Sequence, residues 1–368
     1  MLEQKVWLTT SSNLYPNLYT MLIGHPGTGK TRTIRKAREY MLSLPDFNMG
    51  PTSCTAAALV DVLLKAKRFI VQLPDPPLEY NSLTLACDEV GAFMHKYDNE
   101  MTAILSAFYD PDPYGQKRRG NDIDIKIKAP QINILAGSTP SNLMELMPEG
   151  AWTQGFSSRL MLVFSDERII GDDFAQEKKP LCPDLLHDLA VISAQVGQYK
   201  VTTEYRDAVN NWRALGEEPL PNHPKLLHYN TRRRVHLYKL SIIAAIDRSN
   251  VPLLTIEDFN RAAGWLFEVE GLMPEIFKAG ASGADAKAQD EIYHFLVTAG
   301  TKGLPEHRVV NFARERIPAH SVMRALDVMH RSGLIEPYAL NAKTGVRQWR
   351  ARSKLNLDGS EAVGHDPE

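Results

Sequence analysis

The chain has 368 residues, of which 43% are hydrophobic and 23% charged, and its formal net charge is −2. This length favours two or three domains with sizeable cores, and the composition excludes a disordered or fibrous protein. The near-zero charge excludes a surface that is cationic throughout, so any nucleic-acid site must arise from local charge asymmetry. Three widely separated cysteines argue against a disulfide scaffold.

The start of the sequence lacks the charged and apolar regions of a secretory signal. Its longest apolar runs are far shorter than the stretch that a bilayer-spanning helix needs. We therefore expect a cytoplasmic protein with no membrane partner.

The first part of the chain predicts an α/β domain. Residues 1–19 form a polar lead with little periodicity, and residues 20–170 alternate strand-like and helical patterns, which is typical of a parallel sheet. The candidate strands are Thr20–Ile23, Arg68–Gln72, Leu83–Cys87, Gln131–Ala136 and Arg159–Phe164. Residues 171–279 carry helical patterns only, from residue 184 onward, and predict an all-helical domain.

The rest of the chain predicts a third domain after a linker. Gly280–Gly283 reads Gly-Ala-Ser-Gly, which is typical of a linker. Three helical patterns then precede two strands in Leu334–Arg352, with a turn at Asn341–Gly345. This order predicts a winged helix over 284–354, and the polar tail 355–368 is expected to be disordered.

The segment after the first candidate strand carries a phosphate-binding motif. It fits G-x-x-x-x-G-K-[ST] between a strand and a helix, the context that this motif requires, and it reads Gly24, His25, Pro26, Gly27, Thr28, Gly29, Lys30 and Thr31. The glycines would let backbone N–H groups surround the phosphates of ATP. Lys30 would contact the β- and γ-phosphates, and the Thr31 hydroxyl would bind Mg²⁺.

Two acids end the third candidate strand. Asp88 at the strand tip is predicted to hold the Mg²⁺ water shell, and Glu89 to polarise the attacking water. A solvated strand end is the alternative for such a pair, but its position after the phosphate motif favours catalysis. A carboxylate placed as a general base implies hydrolysis of the nucleotide.

This order of motifs resembles the AAA+ ATPases. Ile132–Pro140 is similar to their sensor 1 strand, with Thr139 or Ser138 as the sensor. Gly155–Phe164 is similar to the arginine-finger segment of minichromosome maintenance helicases, with Leu160 where they carry Phe, and the finger is then Arg159. Asn230–Leu240 resembles their sensor 2 helix, which implies a sensor arginine at Arg232, with Arg233 and Arg234 as alternatives.

The overall order of these motifs along residues 20–278 also resembles phage-encoded AAA+ replication ATPases and helicases. The likeness implies a three-layer AAA+ core with a parallel sheet, a helical lid and a homo-oligomeric ring, most often a hexamer. Arg159 would then act on the nucleotide of a neighbouring subunit, where an arginine finger accelerates phosphoryl transfer by about 10³–10⁵-fold.

Two basic segments raise the question of DNA. Lys117, Arg118 and Arg119 lie in a turn where helicases of this type project a hairpin into the ring, although a solvated charged turn is the alternative. Residues 300–354 contain 11 lysines and arginines against four acids. Within them, Arg324 on the third helix and Arg347 and Arg350 on the wing are candidate DNA contacts, unless the winged helix binds protein.

The sequence thus predicts an ATPase that couples ATP hydrolysis to DNA translocation or unwinding in phage DNA replication. One alternative is a helicase loader or initiator that uses ATP as a switch. Another is a protein-remodelling AAA+ ATPase, which the basic turn at residues 117–119 disfavours because such machines grip polypeptide with apolar side chains.

Overall fold

The computed structural model describes residues 1–71, 76–95, 98–118, 123–147, 151–152, 155–167, 181–300, 303–340 and 347–352. The chain divides into two compact units, Met1–Gly280 and Ala281–Glu368. The domain boundary predicted at residue 170 and the predicted tail 355–368 lie outside the described residues. Within the described ranges, no helix combines the length and the apolar character that a membrane span needs.

The first unit mixes strands and helices along its whole length. In chain order it contains β1 (Val6–Thr9), β2 (Asn13–Leu14), β3 (Tyr19–Ile23), α1 (Lys30–Leu42), α2 (Ala56–Lys65), β4 (Lys67–Ile70), β5 (Leu78–Cys87), α3 (Asn99–Ala107), β6 (Tyr114–Arg118), β7 (Ile123–Ile127), β8 (Pro130–Ser138), α4 (Pro140–Leu146), β9 (Leu160–Phe164), α5 (Pro183–Ala194), β10 (Gly197–Val201), α6 (Thr203–Ala214), α7 (Leu227–Asn230), α8 (Arg233–Arg248), β11 (Leu253–Leu254) and most of α9 (Ile256–Thr298).

A five-stranded sheet forms the centre of this unit, in the order β4-β5-β8-β3-β9. The pairs β5–β8, β8–β3 and β3–β9 are parallel. The inner strands β5 and β8 are buried along most of their length, as expected of parallel strands with both faces covered. The sequence therefore predicted the α/β class and the parallel core correctly.

One edge of the sheet departs from the prediction. The strand predicted at Arg68–Gln72 is β4, which pairs antiparallel with β5 from Lys67↔Asn81 to Ile70↔Leu78. The connection between β4 and β5 is too short for the crossover that a parallel pair requires, so the chain turns back on itself. Gln72 lies outside the described residues.

Two other predictions for this unit are wrong. The lead 1–19 contains β1 and β2, and the region predicted as all helical contains β10 and β11. These strands form a second sheet in the order β11-β10-β1-β2, in which β1 pairs parallel with β10. Each strand is short and has few buried side chains, and the paired strands β1 and β10 lie far apart in sequence, so local periodicity gives little signal.

The predicted linker at Gly280–Gly283 is helical. Helix α9 continues through it without a break, from Ile256 to Thr298. A single glycine costs about 1 kcal/mol relative to alanine inside a helix, and the alanines around these two glycines are strong helix formers. Composition alone therefore overestimated the tendency of this segment to interrupt the helix.

The second unit contains the end of α9, then β12 (Leu304–Pro305), α10 (Glu306–Arg314), α11 (Ala319–Arg331), β13 (Ile335–Leu340) and β14 (Arg347–Ala351). Its sheet has the order β12-β14-β13, and both pairs are antiparallel. Side chains from all three helices and from β13 and β14 form one apolar core. The three helices and the hairpin match the predicted order, and β12 was not predicted.

A buried ion pair joins α8 to α9 in the first unit. The Arg233 guanidinium is fully buried and lies 2.5 Å from Glu270 Oε2. It also donates to the Pro219 carbonyl at 2.6 Å and to the Glu217 carbonyl, and it lies over the Trp212 ring. The Arg233 guanidinium is therefore occupied by contacts within its own unit.

We expect Arg233→Met to lower the melting temperature of the first unit by on the order of 10 °C, because it leaves the Glu270 carboxylate buried without its cation. The double variant Arg233→Met/Glu270→Leu should recover much of this loss, since both charges are then absent. Arg234→Met removes a half-exposed pair with Glu217 and is the matched control. Equal melting temperatures for Arg233→Met and Arg234→Met would contradict the structural role of the buried pair.

Candidate nucleotide site

The phosphate motif forms a tight turn between β3 and α1. The Gly24 N–H donates to the Ser138 carbonyl at 3.2 Å, which joins the start of the turn to the end of β8. Gly27 and Gly29 have φ of 89° and 86°, in the left-handed region that side chains other than glycine rarely adopt. Helix α1 begins at Lys30, so its N-terminus faces the turn. Such a turn directs backbone N–H groups and the positive end of a helix toward an anion.

Lys30 bends back over this turn. Its Nζ donates to the Gly24 carbonyl at 2.7 Å and to the His25 carbonyl at 2.9 Å. Partial burial lowers the pKa of Lys30, and the nearby Glu89 carboxylate opposes that shift. The ammonium is thus held at the mouth of the turn, where it can exchange carbonyl oxygens for phosphate oxygens.

Asp88 follows the last residue of β5 and makes one ion pair. Its Oδ2 accepts from Arg35 Nε at 2.8 Å and lies 2.6 Å from Arg35 Nη2. Its other oxygen, Oδ1, is buried and has no hydrogen-bond partner among the described residues. An unpaired buried carboxylate oxygen is costly, so this atom fits a site that binds a cation or its water ligands.

Glu89 is held by two side chains from the end of β8 and the start of α4. Asn142 Nδ2 donates to Glu89 Oε1 at 2.6 Å, and Ser138 Oγ donates to the same oxygen at 3.3 Å. Thr139 caps α4 instead, because its Oγ1 accepts from the Asn142 N–H at 3.2 Å. The geometry favours Ser138, together with Asn142, over Thr139 as the polar group that acts on Glu89.

These residues fit ATP and Mg²⁺. The turn supplies a cradle for phosphate, Thr31 lies exposed in the first turn of α1, and Asp88 offers an unpaired oxygen. In the described part of the chain, no three His, Cys, Asp or Glu side chains form a metal cluster. This arrangement suits Mg²⁺, which is usually held by one or two protein oxygens, substrate phosphates and water.

The predicted finger and sensor arginines lie at the opposite end of the sheet. Leu160, next to Arg159, pairs with Tyr19 at the start of β3, whereas the phosphate turn follows Ile23 at its end. Arg159 Nη2 lies 3.1 Å from Asp110 Oδ2, and Arg232 Nη1 lies 3.5 Å from the same oxygen. The structure therefore brings the two predicted arginines together, but it does not bring them to the phosphate turn of their own chain.

A buried lysine lies beneath this arginine pair. Lys239 Nζ lies 3.8 Å from the centre of the Tyr109 ring and donates to Asn17 Oδ1 at 2.8 Å. Burial lowers the pKa of Lys239 to about 7, and Asp110 opposes the shift. Asn17 in turn donates to the Tyr109 carbonyl at 2.8 Å, so these groups are fixed to the chain just before β3.

The other two candidates for sensor 2 have different partners. Arg233 is committed to the buried pair with Glu270, and Arg234 lies 2.7 Å from Glu217. Arg232, at the N-terminus of α8, is the one of the three that lies beside Arg159. The structure therefore favours Arg232 within the predicted sensor 2 segment.

The candidate DNA contacts are only partly described. Lys117 is exposed on β6, which pairs antiparallel with β7. Arg118 ends β6, and Arg119 lies outside the described residues. Arg324 is exposed on α11, and Arg347 lies over the Trp349 ring. Arg350 lies 2.5 Å from Glu336, which also binds Arg352, so part of the predicted basic surface is neutralised by an ion pair.

Asn142, Arg35 and Asp110 are among the residues of these clusters that sequence reasoning missed. Thr139-Pro140 is a recognisable helix start, with a capping Thr and Pro in the first helical position. This signal would have assigned Thr139 to the cap and directed attention to the first turn of α4. Arg35 and Asp110 carry no comparable local signal, because their partners lie 53 and 49 residues away.

The comparison with known proteins gives no assignment. Neither the protein-family models nor the curated proteins contain a match to this chain.

Proposed function

We propose that the chain is a Mg²⁺-dependent ATPase of the AAA+ type. The observation that carries the proposal is the convergence of three strand ends. Tight pairing of β3, β8 and β5 brings the Gly24–Thr31 turn, Ser138 and the Asp88-Glu89 pair to one edge of the sheet. A phosphate cradle, an acid with a free buried oxygen and an oriented carboxylate are the parts that phosphoryl transfer to water requires.

Each residue has a role that follows from its position. Lys30 and the backbone of the turn would bind the phosphates, while Thr31 and Asp88 would hold the metal. Bound Mg²⁺ neutralises charge on the phosphate oxygens. Glu89 would accept a proton from the attacking water, and Asn142 fixes the carboxylate so that one oxygen stays oriented.

The position of the arginine pair supports an assembly of several copies. The length of β3, about 13 Å at roughly 3.3 Å per residue, separates Arg159 from the phosphate turn of its own chain. Arg159 and Arg232 would instead serve the nucleotide of a neighbouring copy. Contacts in which one edge meets the opposite edge of the next copy are heterologous, and they form a ring when the rotation between copies closes. The AAA+ resemblance implies such a ring, most often a hexamer.

We further propose that the ring works on DNA during phage-type replication, by translocation or unwinding. The β6–β7 hairpin lies between α3 and β8 in the chain and exposes Lys117, which supports this. Arg118 and Arg119 follow Lys117 in the sequence. The second unit supports it as well, since its three helices and β-hairpin have the order of a winged helix and expose Arg324 on α11. A loader or initiator, which uses ATP as a switch, would carry the same nucleotide site.

Two substitutions test the ATPase itself. Lys30→Ala should weaken ATP binding, because the cation at the mouth of the turn is lost. Glu89→Gln should retain binding and lower hydrolysis by about 10²–10⁴-fold, the usual contribution of a general base. Nucleotide affinity and steady-state phosphate release measure the two effects separately. Wild-type turnover in Glu89→Gln would reject Glu89 as the base.

A third substitution tests the role of Asn142. Asn142→Ala should lower the turnover number by about 10–100-fold with little change in ATP affinity, because a misplaced base costs rate rather than binding. Asn142→Asp should also shift the acidic limb of the pH–rate profile to higher pH, since two adjacent carboxylates compete for one proton.

The control for Asn142 is Ser141→Ala, which changes a neighbouring side chain on the same helix. We expect it to hydrolyse ATP at the wild-type rate. Thr139→Val tests the alternative sensor and should mainly lower stability, by about 1 kcal/mol for a lost helix cap. A large rate loss in Thr139→Val with none in Asn142→Ala would return the sensor role to Thr139.

The DNA proposal is tested by neutralising the basic end of the hairpin. Lys117→Ala/Arg118→Ala/Arg119→Ala should weaken binding of single-stranded DNA and abolish any DNA-stimulated ATPase, but spare the basal rate. The slope of log affinity against log salt should fall by about 0.7 for each phosphate that the variant no longer neutralises. Lys126→Ala/Lys128→Ala removes two cations from the neighbouring strand segment and is the control. Wild-type binding and stimulation in the triple variant would favour the loader.

A further inference from the structure

Asp110 is the carboxylate that binds both arginines of the far sheet edge. Its Oδ2 lies 3.1 Å from Arg159 and 3.5 Å from Arg232. The Arg159 side chain is only 12% exposed and the Asp110 side chain 39%, so a largely buried arginine is paired with a partly exposed acid. An arginine that stabilises the phosphate of another copy must present its guanidinium outward, and here Asp110 holds it inward.

The cluster carries more positive than negative charge. Arg159 and Arg232 lie over the Tyr109 ring and share one acid, Asp110. Lys239 lies over the same ring, and because burial lowers its pKa to about 7 it adds part of a third positive charge. Arg159 Nε is also buried and makes no hydrogen bond to a described residue. A buried donor without an acceptor is unfavourable, and the pair with Asp110 therefore does not fully satisfy this guanidinium. The site therefore still favours an additional anion.

The backbone around Arg159 is firmly held. Its N–H donates to the Phe156 carbonyl at 3.0 Å, and His236 Nε2 contacts the Ser158 carbonyl at 3.1 Å. Burial lowers the pKa of His236 to about 4, so the ring is neutral at physiological pH and acts as a donor there. Release of Arg159 would thus need rotation of its side chain only, away from Asp110 and from the Gly155 carbonyl.

We propose that Asp110 is an intramolecular substitute for the phosphate of a second copy. It keeps Arg159 and Arg232 paired within the subunit and releases them when the nucleotide of a neighbouring copy supplies a stronger anion. The contact is autoinhibitory, because each productive encounter between copies must first break it. This inference rests on the proposed ATPase and on the assignment of Arg159 to the neighbouring site.

The test is Asp110→Asn in the full-length chain. The amide keeps the shape of the side chain but removes the charge that holds the arginines. Two partly exposed ion pairs that together contribute about 0.7–1.4 kcal/mol correspond to a gain of roughly 3–10-fold. We therefore expect the ATPase rate of Asp110→Asn to be 3–10-fold higher than that of the wild type at protein concentrations too low for the copies to assemble. The rate should also reach its maximum at a correspondingly lower protein concentration. At saturating protein the rate per subunit should stay within about twofold of wild type.

The control is Asp112→Asn, which removes the same charge from an exposed residue of the same loop. It should behave as wild type at every protein concentration. Thermal unfolding of both variants, together with Asp110→Ala, detects loss of folding. A folded Asp110→Asn protein whose rate is unchanged or lower at all concentrations would overturn the proposal, because Asp110 would then be neutral or a positioning residue for the arginines.

A mixing experiment separates this proposal from the proposed function. Arg159→Ala and Lys30→Ala should each be inactive alone and recover part of the activity when mixed, since one interface then contains an intact finger and an intact phosphate turn. No recovery, or full activity in Arg159→Ala, would reject the action between copies and the Asp110 proposal with it. If the mixture recovers activity but Asp110→Asn shows no higher ATPase rate at low protein concentration, only the autoinhibitory role of Asp110 is rejected.

Discussion

The parallel pairing of β3 with β8, and of β8 with β5, is the constraint on which the rest of the site depends. It places the phosphate turn, Ser138 and the Asp88-Glu89 pair at the carboxyl edge, although they are far apart in sequence. The hydrogen bond from Gly24 N–H to the Ser138 carbonyl extends this pairing into the turn itself. Any change that shifts the register by one residue would separate the carboxylates from the phosphate cradle.

The same sheet also fixes the opposite edge. Asn17, just before β3, binds both Lys239 and the Tyr109 carbonyl, and Tyr109 supports the arginines above it. Movement of β3 would therefore reach both edges, through the phosphate turn at one end and through Asn17 at the other. In the assembly proposed above, this connection would give each subunit a physical route from its own nucleotide to the arginines that it offers to a neighbour.

The features that could be predicted from the sequence are those defined by local residue patterns. The phosphate turn and the acid pair are local patterns with required residue types, so the sequence identified them and their strands. Strands β1 and β10 are defined by pairing across most of the first unit, and their few buried residues gave no periodicity. Asn142 and Asp110 contact partners that only the fold brings near. The structure places Thr139 at the cap of α4, a role that the sequence analysis did not consider because a capping residue and a sensor share the same chemistry.

Asp88 and Asp110 each form ion pairs with arginines of the same chain. Asp88 binds Arg35 through one oxygen and keeps the other unpaired, whereas Asp110 divides one oxygen between Arg159 and Arg232. In both clusters the internal partners leave one buried polar atom without a hydrogen bond to a described residue. This atom is Asp88 Oδ1 in the first cluster and Arg159 Nε in the second. A group that is incompletely satisfied keeps its affinity for an external ion, while a full set of internal partners would remove it. Under the proposed function, incomplete internal pairing is therefore the property that would let these clusters be stable in the subunit and still respond to nucleotide and to a second copy.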